Sequence, residues 1–491
     1  MNRFTRIAEE DDVIIALRDL KKGEEVDGIT LLEDIKQGHK IAAHDMKAGH
    51  VLLKYGVSIG VLTSDVKKGE WIHTHNLHTG LGEESAPYVY NHKTYPLPSA
   101  SNRTWRGFLR KDGSAGIRDD LYIVPLVGCV NLVAEGIKKK FLSSHPDMEG
   151  RVHVLSHPYG CSQLGDDASA TRNLLAGLAK NPNAGGTLIL GLGCENNRME
   201  FFLSALGEFD KDRILYFQSQ DQKDEIVYGL EQMDKLYDIV SKDERVELPL
   251  SKLVIGLKCG GSDGFSGLTA NPLLGMMCDV AGQSGAKIAL TEVPEMFGAE
   301  RDLMNRAVNE EIFNKEVALI NNFKAYYAKN NQPCYENPSP GNKDGGITTL
   351  EEKSNGCVLK GGHLPVVDVI DASLGQRIVK PGLTLVNGPG NDIVASTNLA
   401  AAGAVILFFT TGRGTPFGSV IPTIKVATNH RLAEFKSNWI DFDAEIALDT
   451  SFKEATEKLL DLLIEVASGK VTKEETNGME QIALFKTGVT L

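Results

Sequence analysis

The sequence has no long apolar run. None of its hydrophobic segments approaches the ~20 residues that a membrane-spanning helix needs, so an integral membrane protein is not expected. The opening stretch MNRFTRIAEEDD lacks the apolar core of a secretion signal, and the expected location is cytoplasmic. Aromatic residues are scarce, at 7%. Basic residues are in deficit: 52 Lys and Arg against 65 Asp and Glu leave a net charge of −13, spread without long acidic blocks. Nucleic acid and anionic membrane are therefore not expected as partners. An anionic substrate would have to be met by local cations, helix N-termini or a metal, against the overall field. The seven cysteines are an odd number and sit mostly at the ends of apolar runs. That placement is expected of reduced thiols available for metal or chemistry, not of disulfides. No strict internal repeat and no low-complexity segment is found.

What is present is enough apolar sequence, 42% of 491 residues, to build two to four cored domains. Residues 1–82 read as a small all-β domain. Short alternating segments are broken by the turns LKKGEEV, IKQGHK, MKAGHVL and VKKGEWI. The domain ends in WIHTHNLHTG, where His73 and His75, two apart, share one face if the segment is a strand. Facing imidazoles suit metal ligation or acid–base work; surface histidines at a strand end are the plain alternative. Residues 83–104 lack periodicity and read as an extended linker able to let the small domain reposition.

From 105 onward the chain alternates strand and helix, which predicts βαβ units and parallel sheets: an α/β middle domain over 105–250 and a second α/β domain over 251–491. The segment YENPSPGNKDGGITTLEEKSNGC, from Tyr335, reads as a long functional loop and a candidate lid.

Six apolar runs empty into glycine-rich turns loaded with reactive residues. LVIGLKCGGSDG gives Cys259 and Asp263, and VHVLSHPYGCSQLGDD gives His157 and Cys161. TLILGLGCENN gives Cys194, KIALTEVPEMFGAE gives Glu292, LTLVNGPGND gives Asn391 and Asp392, and AVILFFTTGRG gives Arg413. Ligands of open parallel sheets bind outside the carboxyl ends of the strands. Cys161, Cys194 and Cys259, each beside glycine, are either soft metal donors or small residues tolerated at crowded strand ends. If their sulfurs converged, a three-cysteine iron–sulfur cluster would be possible. Cys278, Cys334 and Cys357 lack the glycine context and read as packing or loop residues. Glu292 reads as a ligand or base, or as a cap. Arg413, between two glycines, reads as a carboxylate clamp or a structural turn residue. GLGCEN and GPGND lack the third glycine of a dinucleotide fingerprint, so no NAD is expected.

Taken together, RKDGSAGIRDD, HPYGCSQLGDD, GLGCENN, CGGSDGFSGLTANP, TEVPEMFGAE, NPSPGNKDGGITTLEEKS, TGRGTPFG and FKTGVTL resemble the altronate and galactarate dehydratase family of sugar-acid lyases. KYGVSIG and GEWIHTHN resemble its N-terminal SAF, or β-clip, domain. One departure falls at residues 118–120, RDD, where the family pattern carries Arg-Asn. The resemblance implies a β-clip domain, a linker, a dimerising middle domain and a C-terminal Rossmann-like domain with a parallel sheet, hence a homodimer. It implies ferrous iron or manganese, and dehydration of D-altronate to 2-dehydro-3-deoxy-D-gluconate in hexuronate (galacturonate) catabolism. Galactarate dehydration or the reaction of a related sugar-acid lyase, and a non-catalytic sugar-acid-binding protein, are the alternatives. For such a lyase the sequence offers His73, His75 and His157 for acid–base work. It offers Cys259, Asp263, Glu292, Cys161 and Cys194 as metal donors, and Arg413, Asn391 and Asp392 for the substrate.

Overall fold

The computed structural model describes residues 3–82 and 87–491; the first four residues of the expected linker, 83–86, lie outside the described residues. Residues 3–82 form a small all-β unit of three short sheets of four, three and two strands. Its Lys-rich turns need the left-handed backbone that glycine adopts freely: Gly23, Gly38, Gly49 and Gly69 all have φ between +81° and +85°.

The middle domain is a four-stranded parallel sheet. Its strands are β1 (Asp120–Pro125), β2 (Val152–Val154), β3 (Ala184–Gly191) and β4 (Ile214–Gln218), in the order β2-β1-β3-β4. Helix α1 (Asn131–Ser144) follows β1, and α2 (Gly165–Ala179) follows β2.

The C-terminal domain is a seven-stranded parallel sheet. Its strands are β5 (Val254–Cys259), β6 (Lys287–Leu290), β7 (Val366–Ile370), β8 (Gly382–Val386), β9 (Ile406–Thr411), β10 (Thr423–Ala427) and β11 (Phe442–Asp443). Their order is β7-β8-β6-β5-β9-β10-β11. The first strand in the chain thus lies mid-sheet, and later strands were added on both sides of it. That makes the edge between β5 and β9 the topological switch point, where open α/β sheets take ligands. The helices used below are α3 (Ala270–Gln283), α4 (Leu350–Val358), α5 (Asp392–Ala401) and α6 (Phe452–Ala467). Helices α3 and α6 cover one sheet face. The other face joins α5 to α2 of the middle domain in one core containing Leu174, Leu178, Leu399 and Leu407. Gly177 permits that contact, because a Cβ there would stand 2.4 Å from the Ala401 carbonyl.

Two expectations are corrected here. The linker, described from residue 87, is strapped to the C-terminal domain and does not run free of it. Tyr88 donates to Glu300, Tyr90 to the Ala307 carbonyl and Tyr95 to Asp302, while the Lys93 N–H donates to the Asn305 carbonyl. The expected lid is not a loop. It holds a short helix, Pro340–Asp344, and the buried helix α4. Thr349 caps α4 by accepting from the Glu352 N–H at 3.3 Å, and Glu351 and Glu352 occupy its first turn. The string Thr-Leu-Glu-Glu was a legible start signal for that helix.

Candidate functional site

Strand β5 reads VIGLKC and is buried along nearly its whole length, as a central parallel strand must be. Its fifth residue is a lysine with no exposed surface. A buried ammonium needs partners. Lys258 Nζ donates to Glu292, to Asp392 at 2.7 Å and to the Cys259 carbonyl at 2.7 Å. Those partners follow β6 and open α5, so three strand-end segments converge on one cation. Glu292 holds a left-handed backbone, φ +70°, which is uncommon for a residue with a side chain and points to functional constraint. Its carboxylate also accepts from the Cys259 N–H at 3.2 Å.

Beneath this pair lies a second group. Cys259 Sγ stands 3.3 Å from Cys357 Sγ, and each is 3.0 Å from Glu295 Oε2. The three ligand atoms lie within 4.8 Å of one another and all three residues are buried. Lys360 Nζ donates to Cys357 Sγ at 2.8 Å, and Lys353 Nζ is 2.8 Å from Glu295 Oε1. Three buried ammonium groups thus concentrate positive charge in a protein that is negative overall. The Cys259 thiol falls to about 6, first through the hydrogen bond with Cys357 and then through the Lys360 and Lys258 charges, against burial; Cys357 is correspondingly pushed up. Burial works against charge on Glu295, but Lys353, Lys258 and Lys360 hold it ionised. Burial, then the neighbouring Glu295 carboxylate, pushes Glu292 well above the ordinary carboxylate range.

The rim is formed by the turn after β5. A Cβ on Gly260 would stand 2.7 Å from the Asp392 carboxylate and 2.6 Å from the Phe409 ring, so only glycine lets these close together. Asp392 keeps 36% side-chain exposure and so connects buried Lys258 with solvent. Across the turn, Asp263 and Arg413 line a groove of about 870 Å³ between this domain and Lys36 and Gln37 of the small domain. Arg413 is exposed, and among the described residues its guanidinium has no ion-pair partner. A second cleft, about 440 Å³, is lined by Arg110, Lys180 and Arg213 and lies at the amino ends of β3 and β4, the edge that lacks the converging groups.

The small domain is docked beside this groove. Lys40 and Lys54, both fully buried, bond Glu352 of α4 at 2.8 Å each. Burial lowers Lys40 to about 8 despite its partner, whereas for Lys54 the Glu352 charge overcomes burial and its pKa rises. Trp71 Nε1 donates to His39 Nδ1 at 3.1 Å, and His39 Nε2 donates to the Asp344 carbonyl at 3.3 Å.

The residues singled out in the sequence are divided by the fold. Cys259, Glu292 and Asp392 are brought together around Lys258. Asp263 is near in sequence but apart from the thiols; its carboxylate accepts from Thr428, Asn429, Ser266 and the Phe265 N–H. Asn391 caps α5 by accepting from the Val394 N–H at 3.1 Å, which occupies its side-chain oxygen. Cys161 and Cys194 sit on the middle domain, exposed, on a different sheet from Cys259, so the three do not form one site. His157 is buried with both ring nitrogens used: Nε2 donates to the Pro125 carbonyl and Nδ1 accepts from the Tyr159 N–H. Burial lowers its pKa, and no proton acceptor is left for substrate. His73 and His75 do not share a strand face, because residues 73–76 form a turn. His73 is buried against Thr348, with its pKa lowered to about 3 by burial and by Lys40, and His75 is exposed beside Trp71.

Sequence reasoning missed Cys357, taken as a loop or packing residue, and the three lysines Lys258, Lys353 and Lys360. A lysine inside an otherwise apolar run was the available signal for Lys258. Cys357 and Lys353 were hidden because their helix was read as a loop.

The chain matches three family profiles in series. They are the altronate/galactarate dehydratase SAF domain over residues 2–80, the D-galactarate dehydratase/altronate hydrolase second domain over 107–241, and the D-galactarate/altronate dehydratase C-terminal domain over 250–490. It is 48% identical to a Bacillus subtilis (strain 168) protein named altronate dehydratase and 45% identical to an Escherichia coli (strain K12) protein of the same name, in both cases over 100% of each chain. A galactarate dehydratase (L-threo-forming) of Escherichia coli (strain K12) is 33% identical over 88% of this chain and 86% of its own. With all three domains matched in order and this identity held end to end, the chain belongs to the altronate/galactarate dehydratase family.

Proposed function

We propose that the protein is a metal-dependent altronate dehydratase. It would convert D-altronate to 2-dehydro-3-deoxy-D-gluconate and water in galacturonate catabolism, as a cytoplasmic homodimer joined through the middle domain. The observation that carries the reading is the end-to-end identity to two proteins of that name. A buried set of cations, carboxyl groups and thiols at the sheet's switch point supports it.

Dehydration removes a weakly acidic proton beside the substrate carboxylate and expels the neighbouring hydroxyl. Arg413, which lines the groove without an ion-pair partner among the described residues, would hold the carboxylate, its planar fork fitting two oxygens. Lys258, fixed by Glu292 and Asp392, supplies a buried positive charge for the negative charge that develops on the substrate. Glu292, bonded to that ammonium, is the group that takes up and returns the proton. Asp392, on the rim, accepts from substrate hydroxyls.

Cys259, Cys357 and Glu295 would hold the metal. Two thiols and a carboxylate suit ferrous iron better than manganese, which prefers oxygen donors. When bound, the ion would supply Lewis acidity toward a substrate oxygen.

The test is a panel of sugar acids under reducing conditions with added ferrous iron. Dehydration of D-altronate is expected, along with its loss on chelation and recovery with iron. Turnover of galactarate alone, or binding without turnover, would replace the reading with one of its alternatives. Full activity in a demonstrably metal-free preparation would remove the metal. Light scattering of the purified chain checks the dimer.

A further inference from the structure

The middle-domain sheet ends its three adjacent strands β2, β1 and β3 in Gly–Cys pairs: Gly160–Cys161, Gly128–Cys129 and Gly193–Cys194. Cysteine is among the most buried residue types, yet all three thiols are exposed on this one edge. We propose that Cys129, Cys161 and Cys194 hold an iron–sulfur cluster.

The three loops are tied to one another. The Gly128 N–H donates to the Tyr159 carbonyl at 2.8 Å, the Asn197 N–H to the Gly160 carbonyl at 2.9 Å, and the Ser162 N–H to Asn196 Oδ1 at 2.8 Å. A Cβ at Gly160 would stand 2.0 Å from the Leu126 carbonyl, so the β1 and β2 loops are in backbone contact. Two sulfurs already have polar neighbours: Ser162 Oγ at 3.8 Å from Cys161 Sγ, and Gln220 Nε2 at 3.7 Å from Cys194 Sγ. Donors of this kind tune thiolate ligands of iron. Gln163, two residues from Cys161 and 4% exposed, leaves its Nε2 without a hydrogen-bond partner. The carboxyl end of the chain is brought to the same loop, where the Leu491 N–H donates to the Ser162 carbonyl at 2.9 Å.

Spacing selects the ligand. Among the described residues, the groups whose donor atoms lie within 4.8 Å of one another are Asp12–His44–His50 and Cys259–Glu295–Cys357; Cys129, Cys161 and Cys194 do not form such a group, so at least one pair of their sulfurs stands more than 4.8 Å apart. One ion with metal–sulfur bonds of about 2.3 Å spans no more than roughly 4.6 Å between sulfurs, too little to reach all three. A cluster of several irons bridged by sulfide reaches sulfurs set wider than one ion can, up to about 7 Å apart, and thiolates from neighbouring loops are its usual ligands. Three thiolates would leave one iron of a four-iron cluster without a cysteine from this edge, open to an oxygen ligand. The proposal does not depend on the catalytic reading of the C-terminal site.

The test uses the full-length protein, isolated without air or reconstituted with ferrous salt, sulfide and a dithiol. Expected are visible charge-transfer absorption that bleaches on reduction, and roughly four irons and four acid-labile sulfides per chain. Cys129→Ser, Cys161→Ser and Cys194→Ser should each lose most of the sulfide. Cys259→Ser, which alters the other thiol site, should keep it. Circular dichroism and melting curves of each variant, with a parallel alanine set, separate lost ligation from lost folding. A wild-type chain that takes up no sulfide, or binds a single zinc in its place, would overturn the proposal. So would a folded triple variant that still assembles the cluster.

Discussion

Strand β5 of the C-terminal sheet and strands β1 to β3 of the middle sheet all run from apolar residues into a cysteine beside a glycine. Yet Cys259 is buried among three ammonium groups and two carboxyls, whereas Cys129, Cys161 and Cys194 are exposed. The difference lies in what covers each edge. Helix α4 brings Cys357, Lys353 and Glu352 over the end of β5, and the small domain closes on α4 through Lys40 and Lys54. At the edge of the middle sheet the loops bond one another and the chain's carboxyl end, and the three thiols stay exposed. One local pattern thus gives a shielded site, where charges interact strongly, or an open one, where soft donors face solvent.

The comparison can be broken at its strongest point by Glu292→Gln. This keeps the shape and removes the proton carrier, so kcat should fall by about 10²- to 10⁴-fold, the usual worth of a placed acid or base. The melting temperature should hold, since Lys258 retains Asp392. Near-normal kcat would return Glu292 to a purely structural role.

Glu352→Gln should uncover the shielded edge. It leaves two ammonium groups buried without their carboxylate and should cost about 3–5 kcal/mol in denaturant unfolding. The same variant carries a pH signature. The charges of Lys40 and Lys54 hold the Glu352 carboxyl down at about 2 against burial, below the ~4.3 of an unfolded glutamate. A lowered carboxyl pKa stabilises above the unfolded value and ceases to as pH falls through the folded one. The stability gap between wild type and variant should therefore be full above about pH 4.3 and close toward pH 2. A gap independent of pH would show that the pair does not carry the docking.

The smallest effect is expected at the rim. Arg413→Lys keeps the charge but loses the paired hydrogen bonds, so kcat/KM should drop roughly ten- to a hundredfold, from about 1.5–3 kcal/mol of charge-assisted bonding. Thermal stability should hardly change at this exposed turn. A variant that unfolds while its surviving molecules turn over normally would place the carboxylate clamp elsewhere.

Much of the architecture was legible because it follows from local rules. Continuous apolar runs gave the buried parallel strands, Lys–Gly turns gave the small all-β domain, and the amphipathic tail gave α6. The strand-end rule also singled out Cys259, Glu292 and Asp392, which the fold brings together around Lys258, and Arg413, which it leaves in the neighbouring groove. Three short strands, β4, β10 and β11, were not read, because ILYFQ, TIKVA and the two-residue FD are brief and none empties into a glycine-rich turn. The reading failed where glycine, proline and asparagine outweighed a helix start signal, and so α4 and its Cys357 were taken for a loop.

The sequence by itself determined that strands would end in thiols, carboxylates and one arginine at a ligand-binding edge, because strand and turn preferences act over a few residues. Only the tertiary structure decided which of those ends meet. Sheet order places β5 beside β6 and β9 and keeps Cys161 and Cys194 on another sheet, and a pairing between residues 40 and 352 exists only after both domains have folded. Buried charge is the physical reason the outcome matters: Lys258, Lys353 and Lys360 are tolerable in the interior only where the fold delivers a carboxylate or a thiol to each of them.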